Sequence, residues 1–218
     1  MTSWETVSNL ATASGTLILA VATFSSIRLA NRSARAAEQT VQATERSVLA
    51  GLRPVIVPSR MDDRAEKIIW VDGHRTVVQG GCGYAVIEDG SLYLAMSLRN
   101  VNAGLGVLQG WDPFWERRLA HDPHADPEKF RSQSRDLYIP AGDVSFWHAA
   151  IRDTDDPDFE PLCSAVKERQ PIGIDLLYTD LEGGQRTISR FALHPAEADE
   201  RWVLTVSRHW NLDRPDPR

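Results

Sequence analysis

Two rhythms of apolar and polar residues meet near residue 53. Before that point apolar positions recur with helical spacing, and no proline occurs until Pro54. Beyond it the period falls to about two, in short runs bounded by Gly, Asp and Pro. The pattern predicts one long N-terminal helix followed by a mainly β domain. The helix itself has two parts. Between Glu5 and Arg28 lie 22 residues without a charge, and Arg28, Arg32 and Arg35 follow. As a helix, such a stretch spans roughly 33 Å, about the hydrocarbon thickness of a bilayer. Leu17, Ile18, Leu19, Val21 and Phe24 form its apolar centre. Ser8, Asn9, Thr12, Ser14 and Thr16 dilute its first half, but a hydroxyl can bond back to a carbonyl one turn earlier.

A secretory signal needs a basic start, and residues 2–8 contain no Lys or Arg. Thr2 and Glu5 instead have capping-box spacing, and Trp4 either marks the membrane interface or is an ordinary terminal residue. The positive-inside rule puts the arginine flank, and the chain after it, in the cytoplasm. Ser8, Thr12, Thr16 and Ala20 recur every four residues, as do Ala11 and Gly15. That stripe is either a close helix–helix contact or simply a helix rich in small residues.

Residues 28–50 are rich in Ala, Arg, Glu and Gln. Ala34, Ala37, Val41, Thr44 and Val48 follow coiled-coil a/d spacing, a short seam suited at most to a weak homodimer. Gly51 and Pro54 end the helix, which is expected over residues 3–50. The expected organisation is a transmembrane helix with a short outside tail (1–29), a juxtamembrane helical linker (30–53) and a β-sandwich domain (54–218).

Within the domain the candidate strands are 55–58, 67–71, 84–88, 92–101, 107–111, 136–139, 144–151, 172–178, 186–193 and 202–209. Asp89-Gly90 marks the clearest hairpin. A second joins 174–178 to 186–191, and residues 162–169 read as one short helix. Short strands with frequent turns imply a sandwich, immunoglobulin-like in broad architecture. Six of the seven Trp fall here: Trp70, Trp111, Trp115, Trp147, Trp202 and Trp210. Core packing explains them better than an exposed platform for sugars or Pro-rich peptide, with Trp115 and Trp210 expected nearest the surface.

Charge narrows the partners. Residues 28–53 carry five Arg against Glu38 and Glu45, whereas from Pro54 onward 19 basic residues face 27 acidic ones. An acidic domain is unsuited to nucleic acid, whose phosphates need a Lys/Arg surface. Of the 24 basic residues only Lys67, Lys129 and Lys167 are Lys, which reads as GC-rich coding. Two cysteines, Cys82 and Cys163, do not make a disulfide framework.

No motif assembles a catalytic site. His121-Asp-Pro-His124-Ala-Asp126 offers metal-ligand types, but in a proline-bounded loop. Asp153–Glu160 holds five carboxylates in eight residues without the glycine or final glutamate of a calcium loop. Both read as solvated loops. Gly81-Cys82-Gly83, with His74 near in sequence, reads as a bend between strands rather than a reactive thiol. Asn100-Val-Asn-Ala-Gly104-Leu-Gly106 ends a strand with residues that tolerate left-handed backbone, and belongs to the fold.

The helix ending in Leu52-Arg-Pro54-Val-Ile-Val-Pro58, then a β domain containing Leu98-Arg-Asn-Val-Asn-Ala-Gly104, resembles the small uncharacterised single-pass membrane proteins of high-GC bacteria. In this chain Asn102 stands where such strands more often carry Gly. The resemblance implies architecture and no catalytic residue, substrate or cofactor. The expected function is a membrane-tethered cytoplasmic module that binds a protein partner, with no enzyme activity, cofactor or metal. The alternatives are an exported wall- or sugar-binding domain, which would need the opposite topology and a Cys82–Cys163 bridge, and a metal-dependent hydrolase, which would need His121, His124 or Cys82 to converge with carboxylates.

Overall fold

A computed structural model describes residues 2–116, 118–119, 121–197 and 200–214, without the side chains of residues 2–8 and 10–13. The capping box of Thr2 and Glu5, the place of Trp4, and Ser8, Ala11 and Thr12 of the small-residue stripe lie outside the described residues. Helix α1 runs Thr2–Leu52. Pro54 ends it, because the proline ring disfavours helical backbone at Arg53. Thr40 bonds back to the Ala36 carbonyl and Thr44 to the Thr40 carbonyl, each at 2.9 Å.

The chain divides into two compact units, Met1–Ala50 and Gly51–Arg218. In the first, Leu17, Ile18, Leu19, Val21, Phe24, Ile27 and Leu29 are all exposed. At about 100° per residue they point to every side of the helix, unlike the one-sided stripe of a helix that packs on a domain. Among the described residues, no helix is long and apolar enough to cross a membrane. Val41 and Val48 of the a/d seam are exposed as well.

The second unit is mainly β. Its strands are β1 (Ile56–Pro58), β2 (Glu66–Ile69), β3 (Arg75–Val78), β4 (Cys82–Glu88), β5 (Ser91–Asn100), β6 (Gly106–Phe114), β7 (Arg131–Ser132), β8 (Tyr138–Ile139), β9 (Val144–Ile151), β10 (Ile172–Thr179), β11 (Thr187–Pro195) and β12 (Trp202–Asn211), with α2 (Phe159–Lys167) before β10. Ten strands form one antiparallel sheet in the order β1-β5-β4-β12-β11-β10-β6-β7, with β8 also on β6 and β9 on β5. β2 and β3 form a separate two-stranded sheet.

Period-two alternation builds the core. Leu92, Leu94, Met96 and Leu98 of β5 share one buried cluster with Ile172, Ile174, Leu176 and Tyr178 of β10, and α2 adds Leu162, Cys163 and Ala165. The two halves of the sheet meet where Cys82 and Gly83 of β4 pair with Val203 and Trp202 of β12. The β2–β3 hairpin covers the other face of β5, packing Ile68, Trp70 and Val78 against Cys82, Tyr93 and Ala95. β5 is therefore buried on both faces and reads as an almost unbroken apolar run.

Most strands fall where the sequence predicts them, β9 residue for residue. At the β4–β5 hairpin Asp89 and Gly90 have φ of 47° and 72°, the pair of positive values that a two-residue type I′ turn requires. β3 and β7 are not in the expected set: each is short and carries polar residues, β3 being set by its hairpin pairing with β2 and β7 by its pairing with the more distant β6. β6 runs three residues past the expected end, through Pro113. The missing N–H costs nothing there, since β6 has passed its pairing with β7 at Gly110 and Trp111 and is an edge on that side. Trp210 corrects another expectation. It is 5 % exposed, packed with Leu177 and Ile188, whereas Trp115 is half-buried as its loop position suggests.

Candidate functional site

The motifs flagged by the sequence do not converge. Cys82 is buried in the cluster beneath the β2–β3 hairpin, and Cys163 is buried in α2. The two cysteines are not bridged to each other. Burial pushes the Cys163 thiol pKa up. His121 is exposed beside Asp122. His124 turns Nδ1 to the Ala125 carbonyl at 2.6 Å and lays its ring edge-on against Trp210. Among the described residues no group of three His, Cys, Asp or Glu could hold a metal ion.

The histidine loop is fastened to the sheet, which the sequence does not disclose. Arg190 of β11 is buried on the outer face and spends all five guanidinium donors. Nε and one terminal nitrogen bind the buried Asp175 carboxylate, both at 2.8 Å. The remaining donors reach the carbonyls of Leu119, Asp122 and Pro123 at 2.9–3.2 Å. Phe114 and Trp210 lie over its plane. Every donor is engaged within the chain, so the pair is a clamp. The acidic loop is also more ordered than a solvated one: Asp156 binds Arg131 through two bonds and Asp158 binds the same guanidinium. The Arg131 hydrogen bond holds the Asp156 carboxyl below its usual range.

A nucleophile–base pair does occur, in a place the sequence reading passes over. Ser189 Oγ lies 2.6 Å from His209 Nδ1 and 2.8 Å from Tyr178 Oη, and Tyr178 accepts the Ile56 N–H at 3.3 Å. The fixed Ile56 donor sets the direction of the chain. Tyr178 then donates to Ser189 and Ser189 donates to His209, which leaves every hydroxyl satisfied. Burial alone lowers the His209 pKa, favouring the neutral ring this order needs, and pushes the Tyr178 phenol up to about 12. Ser189 is fully buried and lines neither cleft described below, so this relay is structural.

The segments 52–58 and 98–104 meet within the second unit. Asn102 Nδ2 donates to the Arg53 carbonyl at 2.8 Å. Asn100 Oδ1 accepts the Val55 N–H at 3.3 Å, while its Nδ2 donates to the Gly104 carbonyl at 2.6 Å. Gly104 lies so close to the Leu52 carbonyl that a Cβ there would overlap it. Arg53 reaches Asn211 Oδ1 at 2.6 Å and Gln185 Oε1 at 3.3 Å. The Asn-Val-Asn-Ala-Gly run is thus a socket for the backbone of residues 52–55.

Open surface gathers around the β2–β3 hairpin. On one side a cleft of about 310 Å³ is lined by Trp70, Trp111, Arg131, Arg135, His148 and Arg152, among others. His148 Nε2 meets Asp136 Oδ2 at 2.8 Å, while its buried Nδ1 has no hydrogen-bond partner among the described residues. On the other side a cleft of about 760 Å³ runs past Thr76–Gln79 and along β4 from Cys82 to Val86. The hairpin is held from beneath. His74 stacks on Tyr93 with centroids 3.9 Å apart, and bonds Tyr84 and Glu88. Asp72 opposes burial with bonds from Tyr93, Arg152 and the His74 N–H, which together hold its carboxyl at about 2. No family model, curated protein or solved structure matches this chain.

Proposed function

We propose that the protein is a single-pass, membrane-tethered module whose C-terminal domain lies in the cytoplasm and binds a protein partner. The observation that carries this reading is the exposed apolar surface on every side of α1 from Leu17 to Ile27, followed at once by Arg28, Arg32 and Arg35. Six large apolar side chains around a solvated helix are costly, whereas in a bilayer they are at home. The arginines favour the cytoplasmic leaflet. A domain net charge of −8 favours standing off from that leaflet, and the helix beyond Arg28 provides the distance. Like the resembled membrane-protein group, the domain is read as an immunoglobulin-like sandwich in the broad sense. The inner faces of β9-β5-β4 and β12-β11-β10-β6 enclose one core and touch through a two-residue ladder.

The recognition role rests on the open ground around the hairpin, in a domain whose chemically capable groups are consumed by structural contacts. Weak dimerisation through Ala34, Ala37, Val41, Thr44 and Val48 is compatible with this role. The test is membrane extraction. The full chain should stay in the pellet after an alkaline carbonate wash, and deletion of residues 6–27 should release it. Release of the intact chain by carbonate would refute the tether.

A further inference from the structure

We infer that the outward face of the β2–β3 hairpin is the docking surface, and that its partner is an acidic, apolar stretch of protein chain. The inference rests on the partner-binding reading and adds the place and the chemistry. Residues alternate cleanly here. Ile68, Trp70 and Val78 point inward and are buried, so Lys67, Ile69, Val71, Arg75 and Val77 point outward. Lys67 stands opposite Val77, and Ile69 opposite Arg75. A sheet face turned to water normally carries polar residues. Here three of five positions are β-branched aliphatics, with Ile69 57 %, Val71 65 % and Val77 52 % exposed.

The charge on this face has one sign. Among the described residues, neither Lys67 nor Arg75 meets a carboxylate. The acids of the same segment are largely spent: Asp63 pairs with Arg99, Glu66 with Arg64, and Asp72 with Arg152. A bare patch of two cations among three aliphatics is complementary to carboxylates spaced by apolar residues. The same hairpin contributes a wall to each cleft, Trp70 and Val71 on one side and Thr76–Gln79 on the other, so a bound segment can continue off the face in either direction. An anionic bilayer offers negative charge too, but as a broad surface it would meet the acidic domain around the patch as well, whereas a single chain segment can meet the patch alone.

The test uses the full chain in neutral-lipid nanodiscs and fluorescein-labelled peptides of alternating Glu and Val, with a Lys–Val peptide as control. The Glu–Val peptide should bind and the Lys–Val peptide should not. K67E/R75E should weaken binding about tenfold or more, as should I69S/V77S. Neither variant should move the thermal midpoint appreciably, since all four side chains are exposed. Equal binding of both peptides, or unchanged binding by both variants, overturns the inference. So does protection of Ile69→Cys from thiol reagent in anionic but not neutral nanodiscs, which would assign the face to lipid. Photo-crosslinkers at Ile69 and at the remote, exposed Leu181 separate this inference from the broader reading. Adducts from Ile69 that K67E/R75E abolishes support the surface. Adducts from Leu181 alone overturn the surface but leave a binding module, and no adduct from either position removes both.

Discussion

Replacing Arg190 with methionine takes the cation from a place that water does not reach. Asp175 is fully buried and receives two 2.8 Å bonds from Arg190. Among the described residues, in Arg190→Met it would keep only the Ala125 N–H at 3.4 Å and Arg118 at 3.9 Å. Breaking a buried pair on one side costs about 3–5 kcal/mol, because the remaining charge is left uncompensated. In a domain of this size that corresponds to a fall in thermal midpoint of roughly 6–20 °C. Replacing both partners, as in D175L/R190M, should recover most of the loss, since the strands then bury matched apolar groups and the carbonyls of Leu119, Asp122 and Pro123 can turn to water. The assay is thermal unfolding of the full chain in detergent, followed by the far-ultraviolet β signal. Trp fluorescence is unsuitable, because Trp210 lies against the altered side chain. A loss below about 1 kcal/mol for R190M, or a double variant less stable than the single, would refute the clamp.

Three further predictions follow from the same contacts. The buried His209 has a lowered pKa, so folding favours its neutral form: the stability this contributes is intact above the unfolded value of about 6.5 and declines as pH falls from there toward the folded value. Denaturant midpoints at pH 7.5 and 5 should show that decline, and His209→Asn should lessen it. Gly104→Ala should destabilise the domain by about 1–3 kcal/mol, because the Leu52 backbone must move to admit the methyl group; thermal unfolding measures it, and a wild-type midpoint would show that the socket is loose. Cys82 and Cys163 should resist Ellman's reagent in the native protein and react together in denaturant, whereas rapid labelling without denaturant would contradict their burial.

Much of the architecture is legible because it is local. Asp89-Gly90 announces its hairpin through backbone that only a few residue types accept, and the alternation in Val144–Ile151 places β9. Pro54 ends the helix by a constraint on its immediate neighbour. What the sequence hides depends on distance along the chain. Asp175 reads as the outward polar residue of a strand, and nothing nearby says that the backbone of Leu119, Asp122 and Pro123 will be fastened beside it through Arg190. Trp210 reads as a terminal aromatic until β10 and β11 supply Leu177 and Ile188. The Asn100–Gly104 run is recognisable as a strand end, but its use as a socket appears only when Leu52 and Arg53 arrive from the other side. The hairpin face is hidden for a related reason. β3 is four residues long, and without it the exposure of Ile69 and Val71 cannot be told from the alternation of an ordinary strand.

The most direct test of the central reading is the side of the membrane on which the domain stands. Glu182 is exposed in the turn between β10 and β11, and both native thiols are buried, so Glu182→Cys reports against a low background. In intact cells a membrane-impermeant maleimide should leave Cys-substituted position 182 unlabelled, with full labelling once the membrane is permeabilised. Labelling in intact cells would place the domain outside and contradict the account.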